Sequence, residues 1–435
     1  MKYAIKNAIV LDGTREMVPQ DDVIVLVNED RIEAIVPSSY DTKGYEDLNL
    51  QGQYLMPGLI NLDVHLPFSG KVSKRQMNPI TKTKMATALP LTRKMTMKKC
   101  IEAAKTQLMS GVTTIRTTGG IEDFDTKIRD FVSDHTVVGP RIIAANKAIS
   151  VPGAPLAGSL AYEVNSDEEV AMYVHKLAEE GVDYIKIVIT GDMHEPDDEP
   201  GVLKMPASYV RTAVINAHEL GLKVTAHVQG QIGLSVALDN KVDVIEHGSV
   251  LSKGMADTFK ANPSVAVCTI SPTIPYAYLD ESQTFASADA HHAGKVILRG
   301  MSEGAKACIA HRIPVGLGTV SGSPFVTHYD MWRELVYFTH YCHVDNNFAL
   351  HTATCVNAKI LGKEFSIGTI ESGKCADLIV TKNNPLDDLS ALRDLSYVIT
   401  KGQIIENPQV ERNPDIDQVL DEAMKKVLAE DDFED

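Results

Sequence analysis

Three kinds of side chain, Asp, His and Lys, stand where strands would end, and together they suit a metal ion or a proton transfer. In LMPGLINLDVHLPFSG (Leu55 to Gly70) an apolar run leads straight into Asp63-Val64-His65. Strand alternation points residues i and i+2 to one face, so Asp63 and His65 look the same way. Further on, DYIKIVITG sets Lys186 between isoleucines, VTAHVQG supplies His227, and DVIEHGSV supplies His247. Taken singly, each is accounted for as a satisfied core or surface residue. Taken together, three imidazoles and a lysine converging on one place make a metal-site pattern, because neutral imidazole is a common ligand for zinc and similar ions. A lysine ammonium has no lone pair to give. Burial lowers an amine's pKa, and the neutral amine can add carbon dioxide to become a carboxylate-like carbamate.

Elements of a definite kind must carry these residues. Between about residue 60 and residue 321, β-branched strands alternate with amphipathic runs. The pattern predicts eight strands: Leu59–Leu66, Thr113–Thr118, Arg141–Ala145, Tyr184–Thr190, Lys223–Val228, Val242–Gly248, Val265–Ser271 and Val315–Val320. The runs Met97–Ser110, Asp167–Glu180 and Ala207–Leu220 read as helices closed by Gly111, Gly181 and Gly221. Eight strand–helix units imply an α/β fold, a (β/α)8 TIM barrel, whose chemistry sits at the C-terminal ends of its strands. The flanks, 1–56 and 363–408, are strand-and-turn sequence and are expected to pair as one small β-sandwich built from both chain ends. Residues 57–362 are the barrel, and 409–435 an acidic C-terminal helix and tail.

Composition sets outer limits. The chain has 435 residues, 44% of them hydrophobic and 23% charged, with a net charge of −16. That charge argues against nucleic acid and anionic membrane as partners. Six scattered cysteines without a Cys-x-x-Cys pair indicate neither a disulfide framework nor a zinc ribbon. The start, MKYAIKNAIVLDG, lacks a signal peptide's long apolar core, so a cytoplasmic setting is expected. One segment reverses the overall sign. From Pro67 to Lys99 there are nine cations (Lys71, Lys74, Arg75, Lys82, Lys84, Arg93, Lys94, Lys98 and Lys99) and no acid. It follows the first barrel strand and so belongs at the site's rim, where it would attract a carboxylate-bearing substrate, remain a solvated loop, or meet an acidic patch on a second subunit.

The motifs MPGLI, GVTTIRTTGG, PRII, IKIVITG, AHELGLKVTAHVQG, DVIEHG, SPT, GLGTVSGSP and GTIESGKCADLIV follow one another along nearly the whole chain. In that order they resemble the metal-dependent amidohydrolase superfamily, in particular its imidazolonepropionase-like and prolidase-like branch. The resemblance implies hydrolysis of a C–N bond by metal-activated water. It implies a carboxylated Lys186 bridging metals, with His227 and His247 on the deeper ion. Three positions depart from the family. Its first strand ends His-x-His, and here the first of these is Asp63. Its eighth strand reads Gly-Thr-Asp-Ser-Gly, and here Val320 replaces the Asp that ligates metal and moves protons. Its loop after the third strand offers a His after Gly-Gly, and here the loop reads Val151-Pro152-Gly153-Ala154-Pro155.

Two readings follow. In one, Lys186, His227 and His247, with His65 nearby, hold a single divalent ion (zinc first, iron or manganese as alternatives), and Asp63 takes over proton transfer from the neighbouring strand. Catalysis then rests on Asp63, His65 and Lys186. His328, Tyr329 and Arg116 are candidates to hold a small-molecule substrate such as an N-acyl amino acid or Xaa-Pro dipeptide. In the other, the chain is a degenerate relative that binds a ligand, or a metal-poor lyase or isomerase using the same mouth. In both it is expected to be a homo-oligomer.

Overall fold

The computed structural model describes residues 2–72, 77–193 and 199–430. Lys74 and Arg75 of the basic segment and the tail tip, 431–435, lie outside the described residues.

A barrel is built from Leu59–Val64, Val112–Thr117, Arg141–Ile143, Tyr184–Val188, Lys223–Val228, Val244–His247, Val265–Cys268 and Val315–Leu317. Neighbouring strands pair in parallel from the first to the third and from the fourth to the eighth. A parallel bridge between Val64 and Ser321 joins the eighth strand back to the first. These are the eight strands of the α/β reading, mostly shorter at their C-terminal ends because the last residues turn outward to line the mouth. Between the third strand and the helix that follows it the sequence had suggested only a loop. Two further short strands lie there, Ala148–Ser150 and Ala161–Glu163, paired in parallel, and the first of them bridges to Ile187. Three-residue strands fall below what alternation can signal.

The helices after the first, third and fourth strands end at Gly111, Gly181 and Gly221, all at positive φ. The first of these starts earlier than apolar spacing suggested, at Pro90 rather than Met97, because proline at the first helical position needs no N–H donor. The acidic C-terminal helix, Pro414–Ala429, buries Ile416, Leu420, Ala423, Met424 and Val427. Strands of both chain ends share a five-stranded sheet in the order Gln403–Glu406, Leu395–Thr400, Leu378–Thr381, Tyr54–Pro57, Ile9–Val10. A four-stranded sheet from residues 2–49 faces it across Tyr3, Ile5, Val25, Leu55, Leu378 and Ile399. Among the described residues no helix is long and apolar enough to cross a membrane.

Gly318 fixes the closure of strand eight on strand one. A Cβ there would stand 2.7 Å from Asp63 Cβ and 2.8 Å from the Asp63 nitrogen. Gly318→Ala is expected to destabilise the fold by about 1–3 kcal/mol, the usual cost of overpacking, as a lower midpoint in urea unfolding at unchanged slope.

Candidate active site

The mouth is built on a charged network inside the barrel. Glu246, fully buried, takes an ion pair from Lys186 and another from Arg116 Nη2 at 2.7 Å. Thr225 Oγ1 donates to the same carboxylate at 3.0 Å. Arg116 Nε donates to the Leu62 carbonyl at 2.7 Å, tying the second strand to the first. Asp63, 1% exposed, accepts from Thr118 Oγ1 at 2.5 Å. Two carboxylates and two cations thus balance in a volume closed to solvent, where an unpaired charge would be costly. Removal from water outweighs the nearby carboxylate and pushes the Lys186 amine down to about 7.

The histidines sit above this layer. His65 hydrogen-bonds through Nδ1 to the Gly119 carbonyl at 3.0 Å and turns Nε2 toward Asp63, 3.9 Å away. His247 occupies a left-handed backbone position, φ 68°, and hydrogen-bonds Thr269 Oγ1 through Nδ1 at 2.6 Å. His227 keeps some exposure, yet its Nε2 is buried without a hydrogen-bond partner. The rings of His227 and His247 meet edge-on with centroids 4.4 Å apart. Burial, reinforced by the Lys186 charge, holds His227 down to about 4. Burial and the neighbouring His227 hold His247 well below the usual histidine range. Both are therefore neutral near pH 7, the form that donates a lone pair.

The donor chemistry fits a divalent ion. Ligand atoms of Asp63, Glu246 and His247 lie within 4.8 Å of one another, and the partnerless His227 Nε2 adds an orphaned donor. A hydrogen bond on one ring nitrogen, as at His247, is what fixes a metal-binding tautomer. The Lys186 amine lies against the Glu246 carboxylate.

The candidate substrate-binding residues carry contacts within the protein. The Arg116 guanidinium is spent on Glu246 and Leu62. Both ring nitrogens of His328 are engaged, Nε2 with the Phe68 carbonyl at 2.7 Å and Nδ1 with Gln107 at 3.2 Å. Tyr329 turns toward the C-terminal helix, where its hydroxyl donates to Asp417 and accepts from the Asn413 N–H. The loop after the third strand brings an apolar side chain to the mouth instead of a His, since Leu156 and the His65 ring both border Gly119.

Two important acids escaped the sequence reading. Glu246 is one. The other is Glu334, fully buried on the helix Met331–Cys342. Its carboxylate accepts from the Ile270 and Ser271 N–H groups at 2.6 and 2.7 Å and from Ser271 Oγ at 2.5 Å, pinning the loop after strand seven.

A match to the amidohydrolase family runs over residues 54–405. The chain belongs to the amidohydrolase family. Ochratoxinase of Aspergillus niger is 24% identical over 406 residues, covering 85% of this chain and 79% of that protein. An assigned prolidase from Bifidobacterium longum has a solved structure 32% identical, with a TM-score of 0.86 over 97% of this chain and 99% of that one. A Xaa-Pro dipeptidase solved with methionine in its active site is 26% identical, with a TM-score of 0.80 over 93% of this chain and all of that one. This amidohydrolase is thus a member of a family of hydrolases acting on carbon–nitrogen bonds, on its prolidase-like side.

Two stability predictions follow from the acids. Glu246→Gln leaves Lys186 and Arg116 facing a neutral amide and is expected to cost about 3–5 kcal/mol, read by urea denaturation. Burial raises the Glu334 carboxyl from 4.5 to about 7. A raised acid contributes stability that is present below its unfolded pKa and lost as pH rises through the folded one. The disadvantage of Glu334→Gln against wild type should therefore shrink by up to about 3 kcal/mol between pH 4.5 and pH 8, measured as the difference in urea midpoints across that range.

Proposed function

We propose that this amidohydrolase cleaves the C–N bond of a small amide, an Xaa-Pro dipeptide or N-acyl amino acid, using one divalent ion. The observation that carries the reading is the His227 Nε2, buried without a partner among the described residues, on a ring edge-on to His247, whose own ligand atom lies within 4.8 Å of Asp63 and Glu246. His227 and His247 would hold the ion, with a carboxylate oxygen of Glu246 completing its shell. A bound ion of this kind lowers the pKa of a water molecule and polarises a carbonyl.

The chain's own residues supply the rest. Asp63 replaces the proton carrier that Val320 cannot be. The two positions are neighbours, as the Val64–Ser321 bridge and the Ser321 N–H bond to the Asp63 carbonyl at 3.2 Å require. With Oδ1 held by Thr118, Asp63 receives a proton from the attacking water at Oδ2 and returns it to the leaving amine. His65, whose Nδ1–H donates to the Gly119 carbonyl, keeps Nε2 as a lone pair 3.9 Å from Asp63. Lys186 keeps Glu246 neutralised beneath the site. Leu156 gives the substrate an apolar wall, in keeping with the dipeptidase relative that holds methionine.

The strand-eight valine favours a second reading, a ligand-binding relative without turnover. Elemental analysis of protein purified without chelator separates the two: about one zinc, iron or manganese per chain is expected of a single-ion hydrolase, and none of a binding protein. Asp63→Asn should lower hydrolysis of Xaa-Pro dipeptides by about 100-fold or more while the metal content stays. Unchanged turnover in that variant would remove Asp63 from proton transfer.

A further inference from the structure

The hydrogen bond behind His247 continues one step further, to a residue outside the barrel. Thr269, just past strand seven and 1% exposed, lies between two partners. Its Oγ1 is 2.6 Å from His247 Nδ1 and 3.6 Å from the sulfur of Met301, on the helix Ala288–Ala310. A hydroxyl has one proton to give, a thioether can only accept, and a neutral imidazole nitrogen does either. Both contacts are therefore met as hydrogen bonds in one arrangement: Thr269 donates to Met301 Sδ and accepts from His247 Nδ1–H. The ring's proton then stays on Nδ1, and Nε2 keeps its lone pair. In the opposite arrangement Thr269 donates to Nδ1, the ring's proton moves to Nε2, and the sulfur has no donor. Met301 is also 1% exposed, so bulk water does not take its place as acceptor.

The sulfur sits on a helix whose position is fixed at this point. A Cβ on Gly304 would stand 2.2 Å from the Ser249 carbonyl oxygen, and one on Gly300 would stand 3.5 Å from Ser249 Oγ. The helix backbone thus lies directly on the residue two past His247, beside the turn where His247 and Gly248 take φ 68° and 87°. Glycine inside a helix is destabilising, and here the closer of the two makes room for another backbone. Met301, next in the chain to Gly300, shares this contact face. A methionine side chain is adaptable by itself, but this one is buried on a helix held against the loop that carries His247.

We infer that Met301 is a positioning residue that sets the tautomer of His247 and so decides which ring nitrogen carries the lone pair. Its consequence for metal binding rests on the reading of His247 as a ligand; the hydrogen-bond chain itself does not. Solid-state NMR of metal-free protein labelled with nitrogen-15 histidine, at neutral pH, reports the ring nitrogens, with His247 identified by the signals missing from His247→Gln. Wild type is expected to show a protonated Nδ1 and a bare Nε2. Met301→Leu nearly conserves side-chain volume and removes the acceptor, so the Thr269 hydroxyl turns to Nδ1 and signals of the Nε2–H form should appear. Zinc affinity, measured by competition with a chelator, should fall by about 10-fold or more in Met301→Leu and in Thr269→Val, and be retained in Thr269→Ser. Nitrogen signals unchanged in Met301→Leu, or a wild type already protonated on Nε2, would overturn the inference. The expected signals in a wild type that takes up no zinc would uphold it and remove the single-ion hydrolase reading instead.

Discussion

The buried carboxylate of Glu246 is the point on which the rest of this barrel mouth depends. It neutralises Lys186 from strand four and Arg116 from strand two at once, and Arg116 in turn holds the backbone of strand one. Each of these side chains is 3% exposed or less. Ions so far from water are tolerated only when paired and hydrogen-bonded, so the strand positions are coupled through their charges as well as through the sheet. Asp63 and the histidines sit on a layer that cannot shift without exposing an unpaired ion. A site that has to place donors within fractions of an ångström gains from such a floor.

The same layer accounts for what the sequence does and does not reveal. Barrel strands long enough to show β-branched texture are legible, and so are residues that follow an apolar run at a strand's end, such as Asp63, His65, Lys186 and His227. Glu246 was overlooked because alternation assigns adjacent residues to opposite faces. With His247 taken as the inward residue, alternation sends Glu246 outward. The register pairs Glu246 with His227, so Glu246 is the inward one by alternation. His247 reaches the mouth because its backbone turns at φ 68°. The following Gly248 was the only sequence hint of that turn. Glu334 carries no local signal at all, since its partners lie some sixty residues away. His328 and Tyr329 were correctly placed past strand eight, but side-chain direction in a loop has no period from which to read it.

Val320 changes meaning in the structure. It sits at φ 57°, where a β-branched residue pays for contact between its Cβ and the backbone. A short polar side chain such as Asp accepts that conformation more readily, because it can hydrogen-bond locally. The Gly318 contact allows no Cβ between strands eight and one, and strand one brings Asp63, whose carboxylate accepts from Thr118 just past the second strand. With Glu246 it gives the mouth two buried acids.

Keeping that count matters because of the cations beneath. Lys186 and Arg116 need two negative charges close by, and Glu246 alone provides one. With the strand-eight acid absent, a histidine at position 63 would leave the layer with a net positive charge just under His227 and His247, whose neutral rings are already disfavoured as cations by burial and by Lys186. Asp63 restores that balance with a side chain of the chain itself, so the floor of the mouth is tied to four strands at once, the first through Asp63, the second through Arg116, the fourth through Lys186 and the sixth through Glu246.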